Sequence, residues 1–161
     1  MRPRLDWHDV RDLVQATARD LRRELAGHEL TLDLPSEPVL ARVDFSLIQH
    51  ALANLLLNAA AHTPPGTPIA VHAETTRGEL VLSVADRGAG IPADVLPRIF
   101  DKFYRGPDAV PGGSGLGLTI ARGFVEAHGG RISGANRQGG GAVFIIQLPQ
   151  PEKPAIPGTT L

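Results

Sequence analysis

Apolar residues recur at three- and four-residue spacing over residues 7–26, where Trp7, Val10, Leu13, Val14, Leu21 and Leu25 line one side and Gly27 follows as a stop. That pattern predicts an amphipathic helix. Polar and apolar residues alternate over 28–34, residues 39–43 form a second short extended run, and Pro35 and Pro38 punctuate the turn between them. A hairpin is predicted there. Asp44 is placed to cap a helix over residues 45–62 whose inner side carries Leu47, Ile48, Ala51, Leu52, Leu55 and Leu56, ended by Pro64 and Pro65. Residues 69–74 and 79–85 alternate again on either side of Arg77-Gly78, a second hairpin. A glycine-punctuated stretch over 86–117 follows, with one short helix expected over 94–103 and a mobile loop over 105–114. Residues 116–128 read as a helix, and 131–135 and 142–148 as two closing strands.

The order helix, hairpin, helix, hairpin, glycine-rich segment, helix, hairpin predicts the α/β class. The expected architecture is a two-layer sandwich, with one mixed, mainly antiparallel sheet and helices packed on one face. At 161 residues the chain fits one domain, expected over 1–149, with a disordered proline-rich tail over 150–161. A hydrophobic share of 42% places it among folded globular chains.

The formal charge of −1 provides no broad basic field, so neither nucleic acid nor an anionic membrane is an expected partner. Cysteine is absent, which removes disulfides, thiol catalysis and thiolate metal sites. The longest apolar run, 51–61, is interrupted by Asn54 and Asn58 and falls short of the ~20 residues of a membrane span. No apolar signal-peptide core stands at the start, and a cytoplasmic location is expected.

Four constellations carry candidate chemistry. Asn54 and Asn58 are four residues apart on one side of an otherwise apolar helix. Two carboxamides so placed either satisfy each other or a loop backbone, or offer an oxygen to a hard cation such as Mg²⁺ beside phosphates. Asp86-Arg-Gly-Ala-Gly-Ile-Pro92 follows directly on a strand. A carboxylate at a strand end can accept from an exocyclic amine such as that of adenine, and Gly88 and Gly90 permit close backbone approach to a flat ligand. A ligand-free Asp-Gly turn reads equally from these residues alone. Phe100-Asp-Lys-Phe103-Tyr104-Arg105 either anchors a loop or sets Tyr104 beside a base and Arg105 on a phosphate. Gly112-Gly113-Ser114-Gly115-Leu116-Gly117-Leu118 leads into a helix, where free amides and the helix dipole favour an anion. It lacks the lysine of a P-loop, and no strand leads into it as a Rossmann fingerprint requires.

In this order the four motifs resemble the N, G1, F and G2 boxes of sensor histidine kinase catalytic and ATP-binding domains, members of the GHKL family with DNA gyrase and MutL. The resemblance covers roughly residues 7–149, with Gly139-Gly-Gly141 before Phe144 similar to a last glycine box, and the potassium-sensing Kdp-type kinases look nearest.

It implies the Bergerat sandwich, with ATP and Mg²⁺ as ligands and a membrane-bound parent kinase. Asn58 is implied as metal ligand and catalytic group, with Asn54 in support. Asp86 is implied to hold the adenine amine beside Gly88 and Gly90, and Ile91, Phe100, Tyr104, Leu116 and Phe144 to wall the base. Arg105, also catalytic, and Gly113, Ser114, Gly115, Leu116, Gly117 and Leu118 are implied to meet the phosphates.

The partners implied are a histidine-bearing dimerisation domain and a downstream response regulator. His8 in His8-Asp-Val-Arg11 is not an acceptor box, because Asp12-Leu13-Val14 follows instead of a small residue, proline and leucine. One departure from the family stands at Ala61, where a lysine or arginine usually follows the metal asparagine by three residues. An anti-sigma-type serine kinase and a catalytically weak nucleotide sensor are the alternative functions.

Overall fold

The computed structural model describes residues 1–76, 78–101 and 117–152. The loop expected over 105–114 lies outside the described residues, as do Tyr104, Arg105, Gly113, Ser114, Gly115 and Leu116.

The chain begins with a strand, β1 (Asp6–Asp9), and enters α1 (Val10–Asp20) with Asp9 as the cap, its carboxylate accepting from the Arg11 N–H at 3.0 Å. The helix expected from Trp7 therefore starts three residues later. Residues 6–9 are taken instead by the edge of β3 (Leu40–Val43), with Asp6 opposite Val43 and Asp9 opposite Leu40, and that pairing satisfies their backbone groups. At its far end α1 stops at Asp20, and residues 21–27 continue as turns. Leu25 still reaches the core at 4% exposure, which is why the apolar spacing outlasts the helix.

The first predicted hairpin is overturned. β2 (Glu29–Asp33) pairs parallel with β4 (Pro68–Thr76), Glu29 opposite Pro68, and does not pair with β3. The connection between β2 and β3 is drawn to α1, where Ser36 C=O accepts from the Arg11 guanidinium at 3.1 Å and Val39 C=O from the Val10 N–H at 2.8 Å. β3 is thus captured by β1, and β2 is free to take the edge of β4.

α2 (Phe45–Ala61) crosses from β3 to β4, capped by Asp44, whose carboxylate accepts from Leu47 N–H at 3.1 Å and Arg4 N–H at 2.8 Å. Burial pushes the Asp44 carboxyl up, but these donors and nearby His128 outweigh it and hold it below its usual value. The helix contains no Asp, Glu, Lys or Arg, so it gains nothing from i,i+4 carboxylate–cation pairs of ~0.2–0.5 kcal/mol. Its stability comes from burial: Leu52, Leu55 and Leu56 are fully enclosed, each contributing about 1.5–3 kcal/mol.

The second hairpin forms as predicted between β4 and β5 (Glu79–Asp86), with Ile69 opposite Asp86. The short helix expected over 94–103 is one turn of 3₁₀ helix at Leu96–Arg98 among the described residues. α3 (Gly117–Ala127) and the hairpin β6 (Arg131–Asn136) with β7 (Ala142–Pro149) complete the chain. The main sheet runs β2-β4-β5-β7-β6, parallel only at β2–β4. Its inner face, with Val71, Leu82 and Ile146, packs on α1, α2 and α3 in one core, giving the expected two-layer sandwich. At Gln150, where a disordered tail was expected to begin, the side chain accepts from the Arg42 N–H at 2.7 Å and donates to its C=O at 3.2 Å. Residues 153–161 lie outside the described residues.

On β4, His72 stands between two carboxylates, with Nδ1 2.8 Å from Asp33 and Nε2 3.5 Å from Glu74. The hydrogen bond to Asp33 raises the His72 pKa above the ordinary 6.5, burial opposes it, and Glu74 adds to the rise. Protonated His72 therefore stabilises the fold fully below pH 6.5, and the contribution is lost as pH climbs through the raised folded value. The pair is solvent-open, so the effect is small. His72→Gln is expected to lower the denaturant midpoint at acidic pH and to match the parent at alkaline pH. Parallel midpoint-against-pH curves for the two proteins would remove this role.

Candidate functional site

The second half of α2 places Asn54 and Asn58 one turn apart, both half-buried. Asn54 Nδ2 donates to the C=O of Gly117 at 3.0 Å, so this carboxamide ties α2 to the first residue of α3. Asn58 follows toward the helix end, where its backbone C=O accepts from His62 N–H and Ala61 is exposed. The last turn of α2 has no basic residue.

Asp86 ends β5 in the inward phase and is only 6% exposed. Its Oδ1 accepts from Gly88 N–H at 2.9 Å and from Ala142 N–H at 3.2 Å, and its backbone C=O accepts from the Arg137 guanidinium at 2.9 Å. A carboxylate held this way keeps its direction without ligand. The turn that follows is packed tightly: a Cβ on Gly88 would stand 2.7 Å from the methyl of Thr63, so the missing side chain admits the turn after α2. Gly90 and Ile91 come next, and Asn136 clamps Ile91 by accepting from its N–H at 2.6 Å and donating to its C=O at 2.8 Å.

Asn136 and Arg137 escape sequence reasoning because they bond to backbone groups 45 and 51 residues away, which leaves no local pattern. The glycine run after them does leave a signal. Gly141 lies directly on the strand end, with φ of +96° and a Cβ position only 2.0 Å from the Asp86 C=O.

Phe100 and Phe144 meet edge to face, ring centres 6.2 Å apart, with Phe144 inside the core at 3% exposure. Thr119 donates its hydroxyl to the Phe100 C=O at 3.1 Å, and Leu118 packs half-buried against the same core. The structure thus gathers Thr63, Asp86 and Gly88 at the end of β5, with Ile91 held beside them by Asn136, and separately ties Asn54 to the start of α3. His8 is elsewhere, on β1 with its ring 5.0 Å from Phe45. Two clefts of ≈ 360 and ≈ 220 Å³ around Gln150 and Pro151 contain none of these site residues.

A five-stranded sheet backed by three helices, with a braced carboxylate at the end of β5 and a carboxamide tying α2 to α3, defines a two-layer α/β sandwich. Residues 43–152 match the family described as histidine kinase-, DNA gyrase B- and HSP90-like ATPase, and the chain belongs to that family. Its relatives are sensor kinases. The signal transduction histidine-protein kinase AfsQ2 of Streptomyces coelicolor is 42% identical over 153 residues, 93% of this chain and 27% of that protein. The sensor protein KdpD of Clostridium acetobutylicum is 33% identical over 144 residues, 88% of this chain and 16% of that protein. The chain therefore spans about a quarter and a sixth of these relatives' lengths. Among solved structures, a mycobacterial sensor histidine kinase, MprB, superposes with a TM-score of 0.76 at 30% identity, covering 91% of this chain and 97% of that one. The chain is an ATP-binding catalytic domain of the histidine kinase type.

Proposed function

We propose that this domain holds Mg-ATP and passes the γ-phosphate to a histidine on a separate dimerisation domain, from which a response regulator is served. The observation that carries the reading is the Asp86 carboxylate, fixed at the sheet end with both backbone bonds on Oδ1. Oδ2 then accepts from the adenine amine. Ile91, Phe100 and Phe144 line the base side, with Tyr104 and Leu116 assigned there by family resemblance.

Asn58 fits a hard divalent cation, since a neutral carboxamide oxygen suits Mg²⁺ whose charge is balanced by phosphates. When bound, the cation neutralises triphosphate charge. Asn54, anchored on Gly117, keeps α2 and the start of α3 together around the phosphates. Arg105 and residues 113–118 are assigned to those phosphates by family resemblance. The acceptor imidazole nitrogen bonds the γ-phosphorus as its bond to the β,γ-bridging oxygen breaks, and ADP leaves. Catalysis is positioning with charge neutralisation. Residue 54 is asparagine where gyrase-type relatives carry a water-activating glutamate, so hydrolysis is slow. A membrane-bound parent follows from the family resemblance, and potassium as its signal rests on the likeness to KdpD proteins.

Incubation with Mg-ATP and a purified dimerisation domain is expected to give acid-labile, base-stable phosphate on that domain. Nucleotide binding without transfer would favour a sensor, a reading supported by the exposed Ala61 and the absence of a basic residue in the last turn of α2. Acid-stable phosphate on a partner's serine would favour a serine kinase.

Ala61→Lys tests the phosphate side. Residue 61 follows Asn58 by three positions on a neighbouring part of the helix surface, so a lysine there reaches the same ligand. The expected gain is about 1 kcal/mol, several-fold in affinity, because the site is open to solvent. Calorimetry should find it larger for Mg-ATP than for Mg-ADP and reduced at high salt. Equal gains for both nucleotides, or none, would remove Asn58 from the metal.

A further inference from the structure

Among the described residues one buried side-chain nitrogen has no hydrogen-bond partner: Nδ1 of His28. The other ring nitrogen, Nε2, lies 2.9 Å from Thr63 Oγ1, and that hydroxyl donates to the Ala59 C=O at 2.8 Å. A hydroxyl has one proton. With it committed to Ala59, Thr63 must accept, so Nε2 carries a hydrogen and, in the neutral ring, Nδ1 is left as a bare lone pair. An aliphatic side chain would fill the same space without that orphaned acceptor. What the histidine adds is a directed donor to Thr63.

Thr63 lies where the nucleotide site is assembled. Its hydroxyl closes the end of α2, five residues beyond Asn58, and its methyl fills the space a Gly88 side chain would need, 2.7 Å from that Cβ position. Gly88 N–H in turn donates to Asp86 Oδ1 at 2.9 Å. A second bond, from Gly66 N–H to the Gly27 C=O at 2.5 Å, staples the same turn to the start of β2. Rotation of Thr63 about χ1 would move the hydroxyl off both partners and the methyl off Gly88 together.

We propose that His28 is a positioning residue for the nucleotide site: its Nε2–H fixes the Thr63 rotamer, and through it the seat of the Gly88 turn and the aim of Asp86. This rests on the reading of Asp86 as the acceptor for the base.

The test compares His28→Leu, which removes the donor, with His28→Gln, which keeps an N–H at similar reach, and Thr63→Val, which keeps shape without the hydroxyl. Mg-ATP and Mg-ADP affinities are measured by calorimetry well below each unfolding midpoint, together with hydrogen exchange at the Gly88 amide. His28→Leu is expected to weaken both nucleotides equally, by about three- to tenfold, because the base side is shared. Gly88 loses protection, His28→Gln restores both readouts, and the Thr63→Val/His28→Leu double variant is no weaker than either single. Thr63→Val carries the test if His28→Leu fails to fold. Normal affinity and Gly88 protection in His28→Leu or Thr63→Val, equal loss in His28→Gln and His28→Leu, or additive losses in the double variant would each overturn the positioning role. Asp86→Asn is the reference: if it binds ATP normally, the base assignment falls, whereas its loss beside an unaffected His28→Leu overturns His28 alone.

Discussion

Gly141→Ala is expected to destabilise the domain by about 3 kcal/mol or more and to take nucleotide binding with it. At φ of +96° a residue with a side chain is strained by ~1–3 kcal/mol before any contact is counted. Its Cβ would also stand 2.0 Å from the Asp86 C=O, which is backbone and cannot rotate away. The loop over 137–141 or the end of β5 must then shift. Either movement breaks the bonds from Ala142 N–H and the Arg137 guanidinium that brace Asp86. Gly140→Ala is the matched control, since φ is +108° there but nothing lies within 4 Å of the Cβ position. For a chain of this size each kcal/mol shifts the melting temperature about 2–4 °C, so Gly141→Ala should melt roughly 6–12 °C below the parent. Gly140→Ala should lose about half as much or less. Equal melting temperatures for the two variants would contradict the tight seat on Asp86.

Asp86→Asn is expected to reduce Mg-ATP affinity by roughly ten- to hundredfold, ~1.5–3 kcal/mol, with little change in melting temperature. Asparagine keeps an oxygen for the Gly88 and Ala142 amides, and the backbone C=O remains available to Arg137. What changes is the atom offered to the base. An NH₂ group replaces an anionic oxygen, so donor faces donor at the exocyclic amine. Calorimetric titration with Mg-ATP, run beside thermal unfolding, separates the two effects. An affinity within about twofold of the parent would sink the adenine assignment.

These two positions also mark how far the sequence could be read. The place of Asp86 at the end of β5 was legible because the alternating residues before it and the spaced glycines after it are a local pattern. The buried side of α2 was legible for the same reason: Ile48, Ala51, Leu52, Leu55 and Leu56 follow helical spacing and are all enclosed, whereas Leu47, expected with them, is only half-buried. The partners of β4 with β5 and of β6 with β7 were legible too, but those of the short strands were not. β1 and β3 have four residues each and β2 has five, too short for alternation to say which edge each will meet. Adjacency in sequence joined β2 to β3, whereas the contacts of α1 with Ser36 and Val39 separate them. Asn136, Arg137 and His28 were missed because each acts through one distant group, with no spacing to announce it.

The parallel pairing of β2 with β4 also decides where this domain can be cut. The family match begins at residue 43, yet α1 and β2 both precede that point. A fragment reduced to residues 43–152 loses the strand that covers one side of β4, leaving a row of unpaired amides and carbonyls over Pro68–His72. It also strips Leu13 and Val14 from the core against which α2 packs. Bare strand edges beside uncovered apolar surface are templates for edge-to-edge aggregation. The unit that keeps the β4 edge paired and the core covered is therefore wider than the stretch that identifies the family.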